Sequence, residues 1–235
     1  MIHTALRLPL VFTACIGAPV MAEQPDYAEL MAEAAWDWRP GDLIFRNGVN
    51  EMDEAMKRSF GLQWASVGIL RASSGGPRVV YADQANGVTE VMLYEHVEGL
   101  TPGDYAVYRL RDLDPDHDPH DQMGSGPMVR LGLTIAYGAP FDDRLVLGDG
   151  AFYNAELAYL SALNAGISLG TPVRLRDLAE GSGDLDPQFR MLLESHRYCR
   201  HALSFDECWT HDLQNQSIVT TGSLIASGAL DRVFP

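Results

Sequence analysis

Positive charge is scarce in this chain: 17 Lys and Arg face 32 Asp and Glu, a formal net charge of -15 over 235 residues. That balance argues against nucleic acid and against anionic membrane surfaces as partners, because both call for a basic face. Long apolar runs are missing after residue 22, so no transmembrane helix is expected in the rest of the chain. Internal repeats and low-complexity tracts are missing too. There are only three cysteines. What is present is ordinary for a globular protein, with 46% hydrophobic and 21% charged residues and enough length for one sizeable core.

The N-terminus reads as an export signal. Arg7 supplies a short positive region, Leu8 to Val20 form an apolar stretch broken by Pro19, and Val20-Met21-Ala22 is a small-x-small cleavage site. Residues 1–22 are therefore expected to be removed, leaving a single domain over 23–235 in the periplasm or outside the cell. The alternative is lipid attachment at Cys15, since Phe12-Thr13-Ala14-Cys15 loosely matches a lipoprotein box. Cys199 and Cys208 remain in the mature chain, and in an oxidising compartment a disulfide between them is expected. A metal site with His201 and His211 is the rival reading, although the spacing matches no compact zinc pattern.

The element pattern is strands first and helices later. A short helix is expected over 26–36, and Asn50 is placed to cap a helix running to about Phe60, with Asp53 near its positive end. Asp42-Leu43-Ile44-Phe45 opens a buried strand. Four further strands follow at 66–71, 78–83, 88–93 and 105–111, separated by Ser74-Gly75-Gly76-Pro77, Asn86-Gly87 and Pro102-Gly103 turns. Short connections favour antiparallel pairing. Helices are expected over 127–137 and 151–164, the second with Phe152, Leu157, Leu160 and Leu163 as core contacts and Gly166 as its stop. The fold class is α+β, an antiparallel sheet with helices packed on one side.

Four pieces of sequence carry a resemblance. They are Pro40-Gly41-Asp42-Leu43-Ile44-Phe45; Trp64-Ala65-Ser66-Val67-Gly68-Ile69; Gly138-Ala139-Pro140-Phe141-Asp142 followed by Phe152-Tyr153-Asn154-Ala155-Glu156-Leu157; and Thr221-Gly222-Ser223-Leu224-Ile225-Ala226-Ser227. In this order they resemble the circularly permuted papain-like hydrolases of the YiiX type, relatives of the NlpC cell-wall peptidases. The resemblance implies a nucleophilic Cys at a helix N-terminus, where the helix dipole and an imidazole lower the thiol pKa, and a His on a neighbouring strand as general base.

Asn154 stands at the Cys position and Ser66 at the His position. Ala82 falls where a third polar residue is usual, and its neighbour Asp83 points to the other face of a strand. A carboxamide is a poor nucleophile, and a serine hydroxyl is no base near pH 7. The resemblance therefore implies an inactive amidase or peptidase homologue. It would keep a cleft at Trp64, Asp42 and Tyr153 for an amide- or ester-bearing ligand, such as a peptidoglycan fragment, peptide or lipid. Two alternatives stand: an active hydrolase in which Asn154 and Glu156 position a water, and a non-catalytic periplasmic partner-binding protein. No cofactor or metal is expected. The alternating carboxylates Asp112, Asp114, Asp116 and Asp118, with His117, His120 and Asp121, read as a solvated linker, because Met123 stands where a calcium loop needs a bidentate Glu.

Overall fold

A computed structural model describes residues 36–101, 103–113, 126–182 and 184–235. The export signal, Cys15, the 26–35 part of the first expected helix and the carboxylates beyond Leu113 lie outside these residues.

Six strands form one antiparallel sheet: β1 (Leu43–Arg46), β2 (Ser66–Arg71), β3 (Arg78–Asp83), β4 (Gly87–Met92), β5 (Tyr105–Leu110) and β8 (Leu230–Phe234), in the order β4-β3-β2-β1-β5-β8. Two short strands, β6 (Val173–Arg174) and β7 (Ser217–Ile218), pair separately. The helices are α1 (Glu51–Phe60), α2 (Leu93–His96), α3 (Pro127–Arg130), α4 (Asn154–Asn164), α5 (Leu175–Ser182), α6 (Pro187–Glu194), α7 (Phe205–His211) and α8 (Thr221–Ile225). The fold is α+β, as the sequence implied.

Alternation along the strands explains how the sheet is buried. Successive side chains on a strand face opposite ways. Leu43, Phe45, Val67, Ile69, Val80, Ala82, Ala106 and Tyr108 join the larger core under the helices. Their neighbours Ile44, Leu70, Val79, Tyr105 and Val107 join a second core with Val97, Phe234 and Trp36. The sheet is thus covered on both faces rather than on one. Phe234 of β8, a strand that the sequence reading did not assign, completes part of that second core.

Two expected helices change at their ends. The one expected over 127–137 is α-helical only to Arg130 and continues as a π-helical turn, Leu131–Ile135. The one expected from 151 begins at Asn154 instead. Phe152 before it is extended and bridges Phe141 in parallel. Leu163 on α4 points outward and is 46% exposed, so it is not a core contact. Gly166 does end the helix, with φ +78° and its N–H on the Leu163 carbonyl.

Cys199 and Cys208 are joined, with their Cα atoms 5.1 Å apart. The bridge pins a short 3-10 turn, Arg197–His201, to α7. Closing so short a loop restricts the unfolded chain by about 2–3 kcal/mol. Reduction is therefore expected to lower the unfolding free energy by that amount, which chemical denaturation with and without reductant measures.

Candidate functional site

Asn154 is the first residue of α4, and α4 packs across β2 and β3. The docking of the preceding loop puts it there. Gly87, at φ +72°, brings its backbone so close to the loop that an added Cβ would lie 2.1 Å from the Ala139 carbonyl oxygen. That approach lets Val88 N–H donate to Ala139 O and Gly138 N–H donate to Val88 O, each at 2.8 Å. The loop then leads through Phe141 and Phe152 to the start of α4.

The Asn154 carboxamide is held at both ends. Its Oδ1 accepts from the Ala82 N–H at 2.7 Å, and its Nδ2 donates to Asp53 Oδ2 at 2.8 Å. Asp53 sits in the first turn of α1, where Asn50 caps the helix by accepting from Asp53 N–H at 2.8 Å. The Asn50 carboxamide also donates to Asp53 Oδ2 at 2.8 Å. The Ser66 hydroxyl lies against the same carboxyl and favours its charged form. Asp53 Oδ1 makes no well-formed hydrogen bond among the described residues. Asp53, Ser66 and Asn154 are each 1% exposed, and Ala82 is fully buried. Burial raises the Asp53 carboxyl to about 6, opposed by its contacts with Asn154, Ser66 and Asn50.

The structure therefore brings Ser66, Asn154 and the Ala82 amide around one buried carboxylate. Asp53 is the residue that sequence reasoning missed as a partner. Its helix-start position was visible, but its contact with Asn154 spans 101 residues of chain. Ala82 contributes only its backbone. Asp83 belongs to the β3–β4 turn, where its Oδ1 accepts from the N–H groups of Ala85 and Asn86.

Glu156 goes elsewhere. Its Oε1 accepts from Gly148 N–H at 2.7 Å, and its Oε2 is buried without a partner among the described residues. Burial pushes this carboxyl up to about 8, and nearby Asp142 adds to the effect. Asp142 is itself buried and raised for the same reason, while its two oxygens accept from Arg144 and Val146 N–H. The pair therefore organises the 142–148 loop rather than the Asp53 cluster.

The three positions expected along a cleft are interior. Asp42 is fully buried, and the Arg109 guanidinium donates to both of its oxygens, at 2.7 and 2.8 Å. The Tyr153 hydroxyl accepts from Val219 N–H at 2.8 Å. Trp64 is 4% exposed, and its carbonyl accepts from the Thr221 hydroxyl at 2.6 Å. These contacts tie β1 to β5, α4 to β7 and α8 to the entry of β2. A depression of about 450 Å³ opens between the β3–β4 turn and the loop at 138–143, with Gln84, Asn86, Phe141 and Asp143 among its walls.

Chemically, the cluster offers one carboxylate, two carboxamides, a hydroxyl and a backbone N–H. Neither an imidazole nor a thiol reaches it among the described residues. His96 is buried in contact with Tyr81, with the Arg46 guanidinium donating to its carbonyl, and burial drives its pKa down to about 3. His196 is buried in the C-terminal segment, where its Nδ1 accepts from Tyr198 N–H. Among the described residues no three of His, Cys, Asp and Glu converge as metal ligands.

No protein-family model matches the chain, and no curated protein does. A solved structure does match: that of the metalloprotein YiiX from Escherichia coli O157:H7, with a TM-score of 0.62, 19% identity, and 85% of this chain and 100% of that one covered. At that identity the likeness concerns the fold, which is YiiX-like. The donor set described above does not fit a metal ion, so no step here is routed through one.

Proposed function

We propose that this protein is an exported, non-catalytic member of the YiiX-like, NlpC-related papain-like class, and that its former nucleophile and base positions now form a structural hydrogen-bond network. One observation carries the reading: Asn154 is 1% exposed and both ends of its carboxamide are bonded, to Ala82 N–H and to Asp53. A nucleophile must reach its substrate and be activated by an adjacent base. Asn154 meets neither condition. The Cys199–Cys208 bridge fits export. The order of the chain, with β2 ahead of α4, fits the permuted arrangement of the resemblance.

The proposed cleft at Trp64, Asp42 and Tyr153 loses weight because all three are interior. The depression beside Gln84 and Asn86 is the better place for an amide-bearing ligand such as a cell-wall peptide, since the Gln84 and Asn86 carboxamides, the latter also donating to Asp83 Oδ1, and the Asp143 carboxylate line it. The water-positioning reading loses weight as well, because Glu156 is bonded to Gly148 N–H.

Reactivity tests the reading. In a Cys15→Ser background, the thiol of Asn154→Cys is expected to label with iodoacetamide at least about tenfold more slowly than a free cysteine at pH 8, because burial and the Asp53 carboxylate both disfavour thiolate. Fast labelling, with a thiol pKa below about 8.5, would mean an open and activating site and would sink the proposal.

A further inference from the structure

The second cavity of note lies far along the chain from the Asn154 centre. It has a volume of about 540 Å³ and sits where the end of α5, the 184–185 turn, α6 and α7 meet. That size suits a small ligand or a single side chain. Its apolar walls are Ala179, Leu185, Phe205 and Trp209, and its charged ones are Asp184, Asp206 and Arg190. The disulfide from Cys199 to Cys208 fixes α7, and with it both aromatic rings, against the preceding turn.

The protein's own groups show what this cavity stabilises. The Arg190 guanidinium lies 4.4 Å from the Phe205 ring centroid and pairs with Asp206 and Glu194 at 3.4 and 3.2 Å. One cation thus already uses an aromatic face and a carboxylate here. A second set of the same groups remains. The Trp209 ring lies 6.0 Å from Phe205 and is half-buried, while Asp184 makes no ion pair or hydrogen bond among the described residues. Indole is the strongest aromatic partner for a cation. An anionic ligand would meet two carboxylates against one guanidinium that is already paired. A purely apolar ligand would desolvate Asp184 and return nothing to it.

We infer that this groove binds an organic cation on an apolar stem, the ammonium group resting between the Trp209 ring and the Asp184 carboxylate and the stem lying against Leu185 and Phe205. Both a lysine side chain of a peptide and a free alkylamine have this chemistry.

The test follows the Trp209 indole N–H resonance of the full chain, identified by its loss in Trp209→Phe. It is titrated with N-acetyl-lysine methylamide, with butylammonium and with N-acetyl-norleucine methylamide, which has the stem without the charge. A saturable shift with the lysine amide is expected, at least tenfold weaker with the norleucine amide. Asp184→Asn should weaken the lysine amide about threefold or more, the range of an exposed ion pair, with the rest of the spectrum unchanged to show that the fold is intact. Tighter binding of the lysine amide than of butylammonium would assign the groove to a peptide side chain, and equal binding to a free amine. No shift, equal binding of the norleucine amide, or an unchanged affinity in Asp184→Asn would each overturn the inference.

Discussion

Glu156→Gln is expected to stabilise the protein by several kcal/mol at pH 9 and to change it little at pH 5. The carboxyl titrates near 8 in the folded protein against an ordinary 4.5, mainly because it is buried. A carboxyl raised by folding holds its proton more tightly in the native state. Stability is then full below pH 4.5 and falls as pH rises through about 8, by roughly 1.4 kcal/mol for each unit of displacement. Glutamine keeps an oxygen for Gly148 N–H and never ionises, so its loss over that range should be smaller. His96 works in the opposite direction and in another window. Its pKa falls to about 3 on burial, so its contribution is lost only as pH drops below 6.5. His196, also lowered, acts on the same side. Asp142 shares the sign of Glu156, which is why the informative quantity is the difference between wild type and variant. Urea unfolding of both at pH 5, 7 and 9 gives it. A constant difference across the three would show that Glu156 does not ionise within this range.

Much of the architecture was legible because its signals are local. Strands β2, β3, β4 and β5 are runs of β-branched and aromatic residues closed by Gly, Pro and Asn, and they fall within one residue of expectation. The Asn50 cap and the Gly166 stop were legible for the same reason, since each needs only the residues beside it. Strand β8 was missed, because Leu230-Asp231-Arg232-Val233-Phe234 gives a broken alternation and becomes a strand only by pairing with β5.

The site divides in the same way. The motif order located Asn154, Ser66 and Ala82, and the structure brings them to one place. Two things could not be read from it. Whether a small polar residue lines a cleft or is sealed under one depends on packing, and Trp64, Asp42 and Tyr153 were sealed. Which carboxylate serves the centre depends on where the first turn of α1 is set relative to the start of α4. Glu156, two residues from Asn154, was the nearer candidate in sequence. Its position in the first turn sends it to the 142–148 loop, while Asp53 arrives from another helix.

Asp53 gives the other large effect. Asp53→Ala should cost about 2–3 kcal/mol, because it strands the buried amide donor Asn154 Nδ2 and the half-buried Asn50 Nδ2, which both rely on Oδ2. Asn154→Ala should cost about 2–3 kcal/mol, since it leaves Ala82 N–H without its acceptor and Asp53 without one of its donors. The losses share a network, so the double variant should lose at least about 1 kcal/mol less than the sum. Asp53→Asn is expected to be much milder, because it keeps an acceptor oxygen and removes a buried ionisation. The folded carboxyl titrates near 6 against an ordinary 3.8, so wild type loses stability as pH rises from 3.8 through 6, and Asp53→Asn should lack that loss. Denaturant unfolding of wild type and the four variants at pH 7, with wild type and Asp53→Asn repeated at pH 4, measures every term. Additive single losses below about 0.5 kcal/mol, the size of ordinary surface changes, would mean that the cluster is not a structural network, and the case for a silenced centre would lose its physical basis.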